Sequence, residues 1–223
     1  MTGYYKKNLA GDRLRRAYEL APPRVQQYFE AEIAHVIGKL QATDTVLELG
    51  CGFGRVLRRL APYTGAIIGV DTSEASLQAA REYCEGMSNV RLLRMNAEEL
   101  GFVDGSFDKV ICIQNGISAF HLDPAGWVKE SVRVTRPGGL VLISTYSEKF
   151  WNHRLEWFRI QSEHGLVGEI DWDATREGEI VCKDGFRATT YTADRFASIV
   201  SELGRRCTIT EVDESSLFCE ITA

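Results

Sequence analysis

Apolar positions along this chain follow two periods. Val25, Tyr28, Phe29, Glu32-Ile33, Val36 and Leu40 form one helical stripe, and Pro22-Pro23 interrupts the same periodicity upstream, so residues 9–40 read as two helices. From Thr45 onward, short apolar runs alternate with helix-like segments: TVLELG, VLRRLAPY, AIIGVD, EASLQAAREYC, VRLLRMN, FDKVICIQ, WVKESVRV and GLVLISTY. Such alternation predicts a parallel sheet covered by helices on both faces. AIIGVD and KVICIQ are apolar throughout, as strands buried on both sides should be. Residues 148–190 break the pattern, being rich in aromatics, acids and turn signals instead of βα units. EIVC-KDG-FRATTY predicts a hairpin turning at Asp184-Gly185, and ADRFASIVSELG a helix stopped by Gly204. CTITEVD and SLFCEIT predict a terminal antiparallel hairpin around a Glu-Ser-Ser connection.

At 223 residues and 44% hydrophobic, the chain has the size of one ordinary domain with an appended cap. A core of that size needs no structural metal or disulfide scaffold. The six cysteines include no CxxC pair, and Cys112 and Cys219 read as small buried hydrophobes. No metal site is expected. The formal net charge of -5 counts against a nonspecific nucleic-acid binder. MTGYYKKNLAG lacks an apolar leader core and no run is long enough to cross a bilayer, so the expected location is a reducing cytoplasm, with no membrane partner. The charge is unevenly spread. Lys6, Lys7, Arg13, Arg15, Arg16 and Arg24 outnumber the acids of the first 24 residues, whereas Glu163, Glu169, Asp171, Asp173, Glu177 and Glu179 face one cation, Arg176, in residues 161–180. Attraction between the two segments is expected to close a lid.

The first predicted strand runs into Glu48-Leu49-Gly50-Cys51-Gly52-Phe53-Gly54-Arg55 and then a helix. Glycines there permit a tight turn and close approach of a ligand, so a nucleotide-like molecule is expected at the carboxyl edge of the sheet. The spacing departs from the dinucleotide fingerprint GxGxxG, because Arg55 stands where its third glycine belongs. Glu48 would repel a pyrophosphate and attract a ligand that carries an ammonium and a sulfonium.

VLELGCGFGRV, from Val46 to Val56, resembles the first motif of the class I S-adenosylmethionine-dependent methyltransferases, and the resemblance continues in order along most of the chain. It implies a Rossmann-like α/β fold: a seven-stranded, mostly parallel sheet with a reversed last strand. A helical N-terminal lid would occupy residues 1–42, the cofactor-binding core 43–147, a small β-containing substrate-cap insert 148–190 after the fifth strand, and the last helix and terminal hairpin 191–223. S-adenosylmethionine is the implied cofactor and S-adenosylhomocysteine the product. Glu48, Gly50, Cys51 and Gly52 would form the cofactor loop, with Cys51 a packing residue and no nucleophile. Asp71 would accept from the ribose hydroxyls with Thr72 beside it, Asn96, Ala97 and Glu98 would border the adenine, and Gln114 and Asn115 the methionine moiety. Tyr5 would close over the cofactor, by analogy with relatives that fold an N-terminal segment across it.

Methyl transfer is a direct in-line displacement, for which positioning supplies much of the acceleration, so a dedicated base is optional. Among the four histidines, His121 follows the fourth-strand loop and is the candidate to contact or position the acceptor; His35, His153 and His164 read as structural or surface groups. Aromatics gather outside the sheet: Tyr4, Tyr5 and Tyr18 on one side, Tyr146, Trp151, Trp157, Phe158 and Trp172 on the other. Of these, Tyr18, Tyr146, Trp151 and Trp172 are taken as the acceptor wall. Gln114-Asn115-Gly116 differs from the Asn/Asp-Pro-Pro-aromatic run of nucleic-acid amino-methylating enzymes, no cysteine follows the fourth strand as an arsenite enzyme requires, and no paired-glutamate loop of the protein arginine enzymes is present. The expected acceptor is a small molecule. An RNA- or protein-modifying enzyme and a non-catalytic cofactor-binding subunit are the alternatives.

Overall fold

The computed structural model describes Tyr4 and residues 8–223. Two helices come first, α1 (Asp12–Glu19) and α2 (Pro23–Ile37). Pro23 sits in the first turn of α2, where its missing N–H leaves no hydrogen bond unmade. Val25, Tyr28, Phe29, Glu32, Ile33 and Val36 are all buried, so the stripe seen in the sequence is the buried face of α2.

The alternating region folds as β1 (Thr45–Leu49), α3 (Arg55–Leu60), β2 (Ala66–Asp71), α4 (Glu74–Tyr83), β3 (Val90–Arg94), β4 (Phe107–Cys112), α5 (Gly116–Ala119), α6 (Pro124–Val134) and β5 (Thr135–Tyr146). After it come α7 (Trp151–Glu163), the hairpin β6 (Glu179–Val181) and β7 (Arg187–Thr189), α8 (Ala193–Glu202), β8 (Cys207–Val212) and β9 (Ser216–Thr222). The main sheet has the order β3-β2-β1-β4-β5-β9-β8. Its first five members are parallel, while β9 pairs antiparallel with both β5 and β8. Six strands therefore run one way and the last in the chain runs the other, which is the Rossmann-like methyltransferase arrangement.

Alternation along each strand feeds two cores. Leu47, Val110, Val141 and Cys219 pack on one face with Trp127 and Val128 of α6 and Ile199 of α8. Val46, Ile67, Ile111, Leu142 and Phe218 pack on the other with Ile33 and Val36 of α2 and Leu57 and Leu60 of α3. A third cluster lies beyond the carboxyl edge of the sheet, where Leu9, Ala17, Tyr28, Phe29, Trp157, Phe158 and Phe186 join α1, α2, α7 and the small hairpin.

Three expectations change. Residues 151–163 form a helix that the sequence reading omits, because its buried face includes Arg154 and Gln161 beside Trp157 and Phe158, which blurs the apolar period. Arg154 is held inside by the Ala188 carbonyl, 2.7 Å from Nη2, and by the Tyr146 ring, 4.7 Å from its guanidinium. The last turn is Asp213-Glu214-Ser215, one residue earlier than expected, with Asp213 and Glu214 at φ 55° and 49°. Arg24 of α2 sets that register by donating to the Asp213 carboxylate and carbonyl, both at 2.6 Å. Finally, the N-terminal segment does meet the insert, and among the described residues no ion pair joins them. Among the described residues, Arg13 donates to the Gly165 carbonyl at 2.7 Å and the Trp157 indole donates to the Ala17 carbonyl at 3.0 Å. Three acids of the insert are paired locally, Glu163 with Arg159, Glu169 with Lys183, and Glu179 with Arg176 and Arg187.

Candidate active site

A cavity of about 470 Å³ opens at the carboxyl ends of β1, β2 and β4, a volume typical of sites for small organic ligands. Its floor is the turn after β1. Gly50 and Cys51 donate their N–H groups to the Val70 carbonyl, which ties the turn to β2. Gly50 and Gly52 stand at φ 70° and 53°. A Cβ at Gly50 would lie 2.7 Å from the Phe120 ring and one at Gly52 2.9 Å from Leu14, so both conformation and space require glycine.

Asp71 ends β2 and lines the cavity. Its carboxylate accepts from the Gly52 N–H at 3.0 Å and the Ser73 N–H at 2.8 Å. A carboxylate offers about four acceptor positions, so acceptor capacity remains for a ligand. Burial raises its pKa and the surrounding N–H groups oppose that rise. Thr72, Asn96 and Ala97 continue the wall.

The turn after β4 is held under constraint. Gln114 and Asn115 both adopt left-handed backbone, φ 57° and 60°, which side-chain-bearing residues rarely do in succession. Long-range bonds determine it. The Gln114 N–H donates to Glu32 Oε2 at 2.7 Å and Ser144 Oγ at 2.8 Å; Asn115 accepts from the Thr145 hydroxyl at 2.8 Å and donates to the Thr189 carbonyl at 3.0 Å. Asn115 is thereby committed to the protein, whereas Gln114 Nε2 has no partner.

The roof comes from α1 and α7. Leu14, Ala17 and Tyr18 face Trp157, Phe158 and Gln161, and Tyr146 closes the end of β5. Tyr18 packs edge-on to Trp157 at 5.8 Å and lies under the Arg55 guanidinium at 5.0 Å. Burial raises the Tyr18 pKa, so its phenol stays protonated at neutral pH.

Gly50, Gly52, Asp71, Thr72, Asn96, Ala97, Gln114, Asn115, Tyr18 and Tyr146 thus surround one cavity, and other expected site residues do not line it. Glu48 is buried behind the loop; burial pushes its pKa up to about 8, opposed by Arg55 and assisted by the Asp71 charge, and its Oε2 lacks a partner. Cys51 packs against Gly69 of β2. Glu98 is exposed beside Gly126 of α6. His121 is exposed at φ 50°, while its neighbours Phe120 and Leu122 face the cavity, so the backbone turn carries the histidine outward. Trp151 packs near Arg154, and Trp172 is 59% exposed. Tyr5 lies outside the described residues. Leu14, Phe120 and Gln161 escaped the sequence reading; a helix at 151–163 would have put Gln161 on one face with Trp157 and Phe158. Among the described residues no cluster of histidine, cysteine or acid side chains is arranged to hold a metal ion.

These residues fit S-adenosylmethionine. The glycine cradle leaves room that a Cβ would fill, Asp71 keeps free lone pairs, and the unpartnered Gln114 amide awaits a polar group. A seven-stranded sheet with its last strand reversed and a glycine-loop cavity at its carboxyl edge is the arrangement of the class I S-adenosylmethionine-dependent methyltransferases. Comparison with known proteins points the same way: residues 46–139 match the family described as methyltransferase domain. The sterol 24-C-methyltransferase of Pneumocystis carinii is 32% identical over 121 residues, covering 50% of this chain and 32% of its own length. The ubiquinone biosynthesis O-methyltransferase of Alkalilimnicola ehrlichii is 34% identical over 116 residues, 51% of this chain and 45% of its own. The chain therefore spans less than half the length of these curated relatives. A crystal structure of a Pyrococcus horikoshii protein shares the fold with a TM-score of 0.67 and 23% identity, covering 91% of this chain and 92% of its own. A Methanosarcina mazei S-adenosylmethionine-dependent methyltransferase does so with a TM-score of 0.60 and 20% identity, over 83% and 95%.

Proposed function

We propose that the protein transfers a methyl group from S-adenosylmethionine to a small-molecule acceptor. The observation that carries this reading is the single cavity that runs from the glycine loop and Asp71 to the aromatic roof. When bound, S-adenosylmethionine supplies a sulfonium methyl group that a nucleophile takes by direct displacement. Asp71 accepts from the ribose hydroxyls with the oxygen lone pairs that Gly52 and Ser73 leave free. The Asn96-Ala97 turn, closed by the Glu99 N–H on the Asn96 carbonyl at 3.1 Å, borders the adenine. Gln114, fixed through its N–H by Glu32 and Ser144, meets the amino-acid end.

The roof excludes water from the reacting atoms, and its enclosure by α1 and α7 favours a small acceptor over a polymer. Relatives named for sterol and ubiquinone methylation point the same way. We place the protein in a reducing compartment, consistent with six free cysteines, five of them buried. Among the described residues no helix is long and apolar enough to cross a membrane.

The test is binding of S-adenosylhomocysteine by isothermal titration. Wild type should bind it, and Asp71→Asn should weaken it by roughly tenfold or more, the scale of hydrogen bonds to a charged group. Equal affinity in both proteins would remove the ribose role. No binding to either would remove the methyltransferase reading.

A further inference from the structure

The aromatic roof contains one side chain that does not belong there on packing grounds. Gln161 is 2% exposed, lines the cavity, and its Nε2 has no hydrogen-bond partner. It follows Trp157 and Phe158 by four and three positions on α7, so the three share one helix face. Leucine or methionine would fill that position at no polar cost, whereas a buried carboxamide without a partner destabilises the fold. A local violation of this kind is expected where a ligand completes the bond.

The charges of the cavity narrow the ligand. Among the described residues, Asp71 is the one charged side chain in the lining, and Gly52 and Ser73 already hold it at the end of β2. Among the described residues no lysine, arginine, histidine or glutamate reaches the lining, and Tyr18 keeps its proton because burial raises its pKa. An acceptor with a charge against the α7 wall would lose its hydration without gaining a counter-ion. A neutral oxygen on an apolar body loses little and gains the Gln161 amide.

We propose that Gln161 determines acceptor specificity by donating a hydrogen bond to one oxygen of an uncharged, predominantly apolar molecule. The inference rests on the methyltransferase reading of the cavity, and its test separates the two. Protein saturated with S-adenosylhomocysteine is titrated, with ligand-observed NMR, against four probes of one shape: 2-naphthol, 2-methylnaphthalene, 2-naphthoate and 2-naphthylmethylammonium. Wild type should bind 2-naphthol about tenfold more tightly than 2-methylnaphthalene, and both charged probes more weakly than 2-naphthol. Gln161→Leu should equalise 2-naphthol and 2-methylnaphthalene while the affinity for S-adenosylhomocysteine stays within about twofold. Gln161→Glu should move the preference toward the ammonium probe. Charged probes that match 2-naphthol in wild type, a 2-naphthol advantage that survives Gln161→Leu, or no measurable binding of 2-naphthol would each overturn the proposal. Failure of S-adenosylhomocysteine to bind would overturn the methyltransferase reading instead, and the probe ratios would then be read on the protein alone.

Discussion

Glu32→Gln is the substitution that most directly probes how α2 supports the active-site turn. The carboxyl group is fully buried on α2, and its Oε2 accepts the Gln114 N–H at 2.7 Å. Burial pushes its pKa from 4.5 up to about 7, against the opposing pull of Ser144, Ser216, the Gln114 N–H and Tyr28. Glu32 Oε1, Tyr28 OH and Ser216 Oγ each lack a completed hydrogen bond, so the ionised form is poorly compensated. In the unfolded chain the acid titrates near 4.5; in the folded protein it keeps its proton to about pH 7. The folded state is therefore favoured below pH 4.5 and loses that advantage as pH rises to about 7, after which the loss is constant. That interval corresponds to about 3 kcal/mol.

Glutamine has the same shape, keeps an oxygen for the Gln114 N–H, and does not titrate. Urea unfolding of both proteins should be measured from pH 4.5 to 8.5. The stability of Glu32→Gln minus that of wild type should grow by about 3 kcal/mol between pH 4.5 and about 7 and then level off. Other titrating groups, Glu48 among them, are present in both proteins and drop out of the difference. A difference that stays flat within about 0.5 kcal/mol over this range, the ordinary scale of a neutral surface change, refutes the account of Glu32 as a buried acid.

Three other outcomes are expected. Gly50→Ala forces a side chain into left-handed backbone and against Phe120, so it should lower stability by about 1–2 kcal/mol and weaken S-adenosylhomocysteine at least tenfold in titration; unchanged affinity would contradict the cradle. His121→Gly should raise stability by about 1 kcal/mol, because φ 50° suits glycine, and should leave S-adenosylhomocysteine affinity within about twofold; a large loss of affinity would return His121 to the site. Because α1 meets the insert through apolar packing and carbonyl hydrogen bonds, raising sodium chloride from 50 to 500 mM should change that affinity by less than about twofold. A tenfold change would restore the ionic lid.

Periodicity and turn chemistry made much of the fold legible. The helical stripe from Val25 to Val36, the strand runs and the glycine turn act over a few residues each, and each is buried or bent where the pattern placed it. Asp71 was legible for the same reason: an acid directly after a buried strand that follows a glycine turn has one place to go at the sheet edge. α7 was not legible, since Arg154 and Gln161 interrupt its apolar face and are explained only by carbonyls, rings and a cavity that other elements supply. His121, Trp151 and Trp172 were assigned from type and neighbourhood, but the direction of a side chain depends on backbone angles and neighbours that composition does not encode. The hydrogen bond from Gln114 to Glu32 joins positions 82 apart, and no local pattern announces it. What the sequence by itself determined was the sheet, its order of elements and the cofactor turn, because short-range backbone preference and periodic burial dictate them. The roof, the Glu32 clamp and the lone amide of Gln161 were decided by tertiary structure, because each depends on contacts that exist only after α1, α2 and α7 have closed over the sheet.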